Sequence, residues 1–457
     1  MSTSAATTLT PPTMPGYFLV GSAPAFIRDT LDVLIASRQL GDLVRMYFGP
    51  FPLYIVNSPE LAHEVLVTKA ASFYKSSNLK RVLDKAVGKG LFTNDGESWR
   101  QQRKLAQPAF HTRRIASYAD VMVRYADELA SRWHDGEHID VERDMAAVTM
   151  KIIAKTVFDA DVEGETDGIS QAVTYILRAS DKRFNNLVQL PDWLPTPGNR
   201  RMQEAVDFLD REIQRFIDER RASGEDKGDL LSMLMAAQDE ENGQSMSDKQ
   251  LRDEAMTVFG AGHETTAVTL TWALYALSQA PHVEAQLHAE LDTVLAGRLP
   301  TYEDLPKLPY TEKVIKEVMR LYPAAWGVTR ESIEPVSIGG YPVKPATLFM
   351  VNIYGIHRDA RYWAQPETFD PERFSPENEK NIPRYAYFPF GAGPRVCIGN
   401  AFAMMEARLL LATLAQRYRF ALAPVQTVKP ARMFTLRPQN GLHMVALQRQ
   451  TMPAAQV

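Results

Sequence analysis

Apolar positions along the chain recur mostly at spacings of three and four, which predicts helices buried on one face, with short alternating runs between them. Pro24 to Gln39 carries such a helical stripe. Val44-Arg45-Met46-Tyr47-Phe48 and Leu53-Tyr54-Ile55-Val56 alternate instead, and Gly49-Pro50-Phe51-Pro52 between them predicts a hairpin. Ser58 before Pro59 marks the N-cap and first turn of the next helix. Phe73 to Gly90 is polar and basic without clear period, a pattern that is usually surface loop. Helical spacing returns around Trp99 and Arg103, from Ile115 to Trp133, and from Met145 to Phe158. Asp192 to Gly198 breaks it, a charged amphipathic helix follows from Asn199 to Arg221, and Ser223 to Gly228 is a turn.

The longest pattern opens at Ser247-Asp248-Lys249-Gln250, a capping-box start, and runs to Gln279. That is about 33 residues, or roughly 50 Å of helix. Its middle, Phe259-Gly260-Ala261-Gly262-His263-Glu264-Thr265-Thr266, places weak helix formers where the periodicity calls for burial. A local distortion with a functional reason is the expectation. Further on, Val336 to Val343 predicts a hairpin and Thr347 to Asn352 a strand. Phe420 to Gln448 breaks into short strands with Phe434-Thr435-Leu436 at a tip.

Composition changes this picture little. The 457 residues are 45% hydrophobic and 23% charged, ordinary for a globular protein with a sizeable core. A net charge of -4 argues against a nucleic-acid binder, and no run approaches the length of a membrane span. Met1 to Pro15 has neither the basic start nor the apolar core of a signal peptide. The expected organisation is a disordered leader at 1–15, one catalytic domain over 16–450 and a flexible tail at 451–457, mainly α with small β-sheets.

Chemistry concentrates in Phe390-Gly391-Ala392-Gly393-Pro394-Arg395-Val396-Cys397-Ile398-Gly399, which holds the only cysteine and so excludes disulfides within the chain. Asn400-Ala401-Phe402-Ala403-Met404 then starts a helix, and a thiol ahead of a helix N-terminus sits where backbone N–H groups favour the thiolate. Both a metal-bound sulfur and a nucleophile suit that place. Two further patterns accompany the loop: Trp99 and Arg103, four apart on one helix, and Glu317-x-x-Arg320, followed about fifty residues later by Pro371-Glu372-Arg373-Phe374.

The spacing Phe390-x-x-Gly393-x-Arg395-x-Cys397-x-Gly399 resembles the haem-ligand loop of the cytochrome P450 family. The Gly-x-Glu-Thr stretch of the long helix resembles that family's oxygen-binding segment, and the resemblance runs from about Tyr17 to Gln448. It implies the triangular-prism fold, with haem b between the long central helix and the Cys-loop helix. Cys397 would be the axial ligand of the iron, with Phe390 and Gly399 packing at the loop. Arg395, Arg103, Arg330 and Trp99 would meet the haem propionates, and Glu264 and Thr265 would cover the distal side and handle protons. Glu317, Arg320 and Arg373 would form a buried charge network behind the loop. His263 is set aside as a second iron ligand, because the corresponding family position points elsewhere. The implied pocket residues are Leu79, Val82, Leu83, Val87, Ala261, Ala324, Ala325, Val328, Phe434 and Leu436, mostly aliphatic.

The implied reaction is insertion of one atom of dioxygen into a fatty acid, terpenoid, steroid or similar apolar molecule. Electrons would come from a separate ferredoxin or flavodoxin with its NAD(P)H-dependent reductase. Arg100, Lys104, Arg113 and Arg114 form a basic cluster that reads either as a solvated face or as a dock for such an acidic partner. The resemblance points to the bacterial type, cytoplasmic, monomeric and without a transmembrane anchor. A peroxide-driven haem-thiolate peroxygenase and a non-enzymatic haem sensor or carrier are the alternatives.

Overall fold

The computed structural model describes residues 10–161, 166–185, 191, 193–238, 243 and 245–449. The contacts gather into two compact units, each assembled from separated stretches. The first comprises Met1–Leu79, Ala325–Thr368 and Glu379–Cys397, and the second Lys80–Ala324, Phe369–Asn378 and Ile398–Val457. Residues 1–9 of the expected leader and the tail 450–457 lie outside the described residues. Residues 10–15 are not a free leader: Met14 N–H donates to the Arg45 carbonyl at 2.8 Å and Arg45 N–H to the Pro12 carbonyl at 2.8 Å.

The first unit is built on a five-stranded sheet. Its strand order is Leu43–Phe48, Phe51–Val56, Leu348–Val351, Val328–Ser332, Phe73–Tyr74, antiparallel except for the second and third strands. Phe48 pairs with Phe51, so the expected hairpin closes on Gly49 and Pro50, and Gly49 supplies the left-handed φ of +57° such a turn requires. Phe349 is fully buried between Tyr54, stacked at 5.3 Å, and Phe73, edge-on at 5.3 Å. The helix expected over Pro24 to Gln39 is two helices, Ala23–Arg28 and Thr30–Ser37. Asp29 between them is extended and accepts from Asp32 N–H at 3.0 Å, which caps the second and ends the first. Ser58 caps Pro59–His63 as expected.

Ser77–Val87 is a helix of 11 residues, within the stretch Phe73–Gly90 whose lack of period suggests a loop. Val82, Leu83 and Ala86 are its buried face. The interleaved Lys80, Arg81 and Lys85 hid this period in the sequence. The chain beyond it is pinned by the long helix: Asp253 Oδ2 accepts from Lys89 N–H at 2.9 Å and Glu254 Oε2 from Leu91 N–H at 3.0 Å.

The second unit surrounds the long helix Asp248–Gln279, 32 residues opened by the reciprocal Ser247–Gln250 capping box. It runs unbroken through Phe259–Thr266, so the expected distortion does not interrupt it. Its neighbour Val141–Phe158 approaches closely at Gly262, where a Cβ would lie 2.5 Å from Ile153 Cδ1. Trp272 is fully buried, stacks on Tyr322 at 4.1 Å and 6°, and donates its indole N–H to the Leu436 carbonyl at 2.7 Å. The helical run expected from Ile115 to Trp133 is interrupted at Ser117–Tyr118, giving Thr112–Ala116 and Ala119–Ala130. The helix after the break is Pro197–Ser223, capped by Thr196; Asp192 lies outside the described residues. The tail strands form a three-stranded sheet of Glu137–Asp140, His443–Gln448 and Tyr418–Leu422, and a C-terminal hairpin of Pro430–Arg432 with Leu436–Pro438. Among the described residues no helix is long and apolar enough to cross a membrane.

Candidate functional site

The candidate residues are divided between the two units. In the first, the cysteine loop is shaped by its own backbone. Gly391 N–H bonds to Phe388 O at 2.9 Å, Val396 N–H to Gly393 O at 3.0 Å, and Cys397 N–H to Phe390 O at 3.0 Å. Gly391 and Gly393 have φ of +73° and +71°. A Cβ on Gly393 would overlap the Leu66 carbonyl, whereas around Gly391 there is open space. Arg395 donates to the carbonyls of Ala70 at 3.3 Å and Phe73 at 2.9 Å, so two of its nitrogens tie the loop to the neighbouring chain. His357, fully buried, accepts the Phe388 N–H on Nε2 at 3.0 Å and fixes where the loop begins. Only an imidazole unprotonated at Nε2 does this. Cys397 itself is exposed and in no disulfide. Arg330 is buried and donates to the Thr329 carbonyl at 2.8 Å. Leu79, Val328 and Phe390 are half-buried and Ala325 exposed.

In the second unit, Trp99 and Arg103 do share the helix Gly96–Ala106, Trp99 buried and Arg103 half-buried. Gly399 is the N-cap residue of Asn400–Arg417, with no side-chain cap on the first N–H groups. The long helix is buried nearly all round its middle, except for Val258, Gly260, Ala261, Gly262 and Thr265. Gly262 is closed off by Ile153, while Val258, Ala261 and Thr265 follow i, i+3, i+7 and form one open stripe. Thr265 lies on it, its hydroxyl donating to the Ala261 carbonyl at 3.0 Å. Glu264 is buried off the stripe. Its Oε1 accepts from the Thr435 hydroxyl at 2.6 Å and from Arg437 Nη2 at 2.7 Å. Arg437 Nη1 also reaches Glu142 at 2.7 Å. His263 is buried, and burial lowers its imidazole to about 4, so it stays neutral in the core.

Glu317 and Arg320, both fully buried, form a two-pronged pair at 2.7 Å and 2.7 Å. Arg373 Nε at 3.3 Å and Asp370 N–H at 3.0 Å complete the carboxylate's shell. Glu406, on Asn400–Arg417, is fully buried with the Thr266 hydroxyl as polar neighbour, and burial pushes its carboxyl up to about 8. Val82, Leu83 and Leu436 are core residues rather than open lining, while Val87, Ala324 and Phe434 are half-buried. Arg100, Lys104 and Arg114 are exposed; the side chain of Arg113 lies outside the described residues.

Sequence reasoning overlooked Glu142, Arg437, Glu406 and the anchoring role of His357. A lone carboxylate inside Ala401–Leu411 was a visible signal for Glu406. Nothing local linked positions 142, 264 and 437.

The family model described as Cytochrome P450 matches residues 11–445. The chain is 40% identical over 429 residues to "Cyclooctatin synthase" of Streptomyces melanosporofaciens, covering 93% of this chain and 92% of that one. It is 37% identical to "Cyclooctat-9-en-7-ol 5-monooxygenase" of the same organism, covering 90% and 89% of the two chains. To "Pentalenene oxygenase" of Streptomyces avermitilis it is 35% identical, covering 93% and 94%. Among solved structures, the "cytochrome P450DA heme domain" superposes with a TM-score of 0.89 at 27% identity, over 97% of this chain and 99% of that one.

Proposed function

The chain belongs to the cytochrome P450 family and is one of its monooxygenases, and from that premise we propose that it oxygenates a cyclic terpenoid on a haem b held by the Cys397 thiolate. The observation that carries this reading is the chain's only cysteine, exposed at the end of a loop held by glycine turns and backbone hydrogen bonds. The residues present suit an iron porphyrin. The thiol is accessible, Gly391 has open space around it, and the long helix leaves the small, uncharged Ala261 and Thr265 open amid burial. Arg330, Arg395, Arg103 and Trp99 are the donors for the two propionates, with Phe390 and Gly399 packing beside the thiolate.

Bound haem supplies the reductive splitting of dioxygen, one atom entering a C–H or C=C bond and the other leaving as water. The protein's own part is positional. The Phe390 carbonyl holds the Cys397 backbone, and N–H groups from Ile398 onward soften the thiolate's charge. The Thr265 hydroxyl, on the open stripe, holds a water or proton toward the reacting oxygen, and Glu264 replenishes it. Ala261 keeps the stripe low, and Leu79, Val87, Ala324, Ala325, Val328 and Phe434 offer apolar surface to the substrate. The names of the three Streptomyces relatives support a terpenoid over a fatty acid or steroid. Electrons arrive from a ferredoxin or flavodoxin and its NAD(P)H reductase, docking on the face of Arg100, Lys104 and Arg114. The enzyme works as a cytoplasmic monomer.

The test supplies oxygen-18 gas, NADPH, ferredoxin, its reductase and a panel of terpene hydrocarbons, fatty acids and steroids. A terpenoid product carrying one heavy oxygen atom is expected. Product formed equally well from hydrogen peroxide alone, or only from fatty acids, overturns the reading.

A further inference from the structure

Glu264 and Thr265 are adjacent in sequence but about 100° apart around the helix, and they are engaged on different sides. Thr265 bonds along the open stripe to Ala261. The Glu264 carboxylate, 3% exposed, puts Oε1 under three donors: the Thr435 hydroxyl at 2.6 Å, Arg437 Nη2 at 2.7 Å and Arg437 Nε at 3.1 Å. Its Oε2 is buried with no hydrogen-bond partner among the described residues. To serve Thr265, the carboxylate has to leave Arg437.

The surroundings permit that departure. Arg437 is shared with Glu142 at 2.7 Å, so the guanidinium keeps a counter-charge when Glu264 leaves, where a lone buried charge would be costly. Glu264 and Arg437 also border a small cavity whose lining includes Arg178, Asp181, Met433 and Phe434. The tip carrying Arg437 is itself well held: Leu436 N–H donates to Ala324 O at 3.1 Å, and Leu436 O accepts from Trp272 at 2.7 Å. Along this tip Thr435 and Arg437 face the acid, while Phe434 lines the cavity and packs edge-on to Phe92 at 6.0 Å.

We propose that Arg437, with Thr435, is the positioning residue of Glu264: it keeps the carboxylate off the open stripe while no substrate is bound, and Glu142 holds the guanidinium when the carboxylate moves. This rests on Glu264 serving as the proton source for Thr265. Its consequence is a closed resting state that limits wasteful turnover, in which one NADPH, one proton and one dioxygen give NADP+ and one hydrogen peroxide.

The experiment measures NADPH consumption and peroxide release by the substrate-free holoenzyme with ferredoxin and ferredoxin reductase. Arg437→Gln raises both at least fivefold, Arg437→Lys stays near wild type, and Glu264→Gln/Arg437→Gln loses the rise. Glu142→Gln, which leaves Arg437 to Glu264 alone, keeps the rate at or below wild type and serves if Arg437→Gln does not fold. Independently of turnover, Glu264→Gln speeds amide hydrogen exchange across residues 433–437. An unchanged rate in Arg437→Gln, a rise that survives the double substitution, a raised rate in Glu142→Gln or unchanged exchange overturns the proposal. If Glu264→Gln leaves product per NADPH unchanged in the substrate assay, the proton-relay reading fails; if it lowers that yield while Arg437→Gln leaves the leak unaltered, this inference alone fails.

Discussion

At the scale of single residues, the two glycines of the cysteine loop make a sharp contrast. Both have positive φ, which costs an alanine about 1–2 kcal/mol. Only at Gly393 does the added carbon also meet backbone, the Leu66 carbonyl. Gly391→Ala is therefore expected to fold and bind haem with a modestly lowered melting temperature, and Gly393→Ala to lose most of its haem. Equal haem content in the two would contradict this account of the loop. Glu406 gives a pH test. Burial raises its carboxyl from 4.5 to about 8, so between those values the folded state binds a proton that the unfolded state has released. Stability contributed at low pH is lost progressively as pH climbs through this window, then levels off. Glu406→Gln, which mimics the protonated form, should gain melting temperature over wild type from about pH 5 to about pH 8. A difference that is flat with pH would refute the buried-acid assignment. Thr265→Ala should leave haem binding intact and divert electrons into peroxide; unchanged coupling would remove Thr265 from proton delivery.

At the scale of elements, the long helix shows how packing overrides propensity. Gly260, Gly262 and the paired threonines are poor helix formers, yet the helix continues because its flanks are buried on almost every side. Gly262 is kept small by Ile153: Gly262→Ala is expected to cost about 1–3 kcal/mol by overpacking. Adding Ile153→Val should recover part of that loss in denaturant titrations, and a strictly additive double substitution would show the contact to be unimportant. The Glu317–Arg320–Arg373 network is a second element-level feature. Removing the carboxylate with Glu317→Ala strands two guanidinium groups and should cost about 3–5 kcal/mol. Normal stability in chemical denaturation would mean the network is not structural.

What could be read from the chain divides along the same line of local against distant causes. The capping box at Ser247, the N-cap at Ser58 and the hairpin at Gly49 depend on residues a few positions apart, and each was legible. The helix Ser77–Val87 was missed because lysines and an arginine interrupt its apolar stripe, and the break at Asp29 because one capping bond decides it. Glu142, Glu264 and Arg437 meet only through tertiary structure, so no sequence pattern announced their cluster. The motif residues were a different case, since Cys397, Glu317 and Arg320 were recognised through a family resemblance rather than through their surroundings.

At the scale of the whole molecule, each of the two units is assembled from separated stretches of the chain. The cysteine loop closes the first unit, while the open-striped helix, Trp99, Arg103 and the buried acids belong to the second. Every functional claim depends on the loop's sulfur binding haem iron. The most direct measurement is the absorption spectrum of the reduced, carbon monoxide-bound protein, wild type beside Cys397→Ala. The account predicts the strongly red-shifted Soret band of thiolate ligation in the wild type and its absence in the variant. A variant that keeps that band, or a haem-loaded wild type that lacks it, would contradict the account.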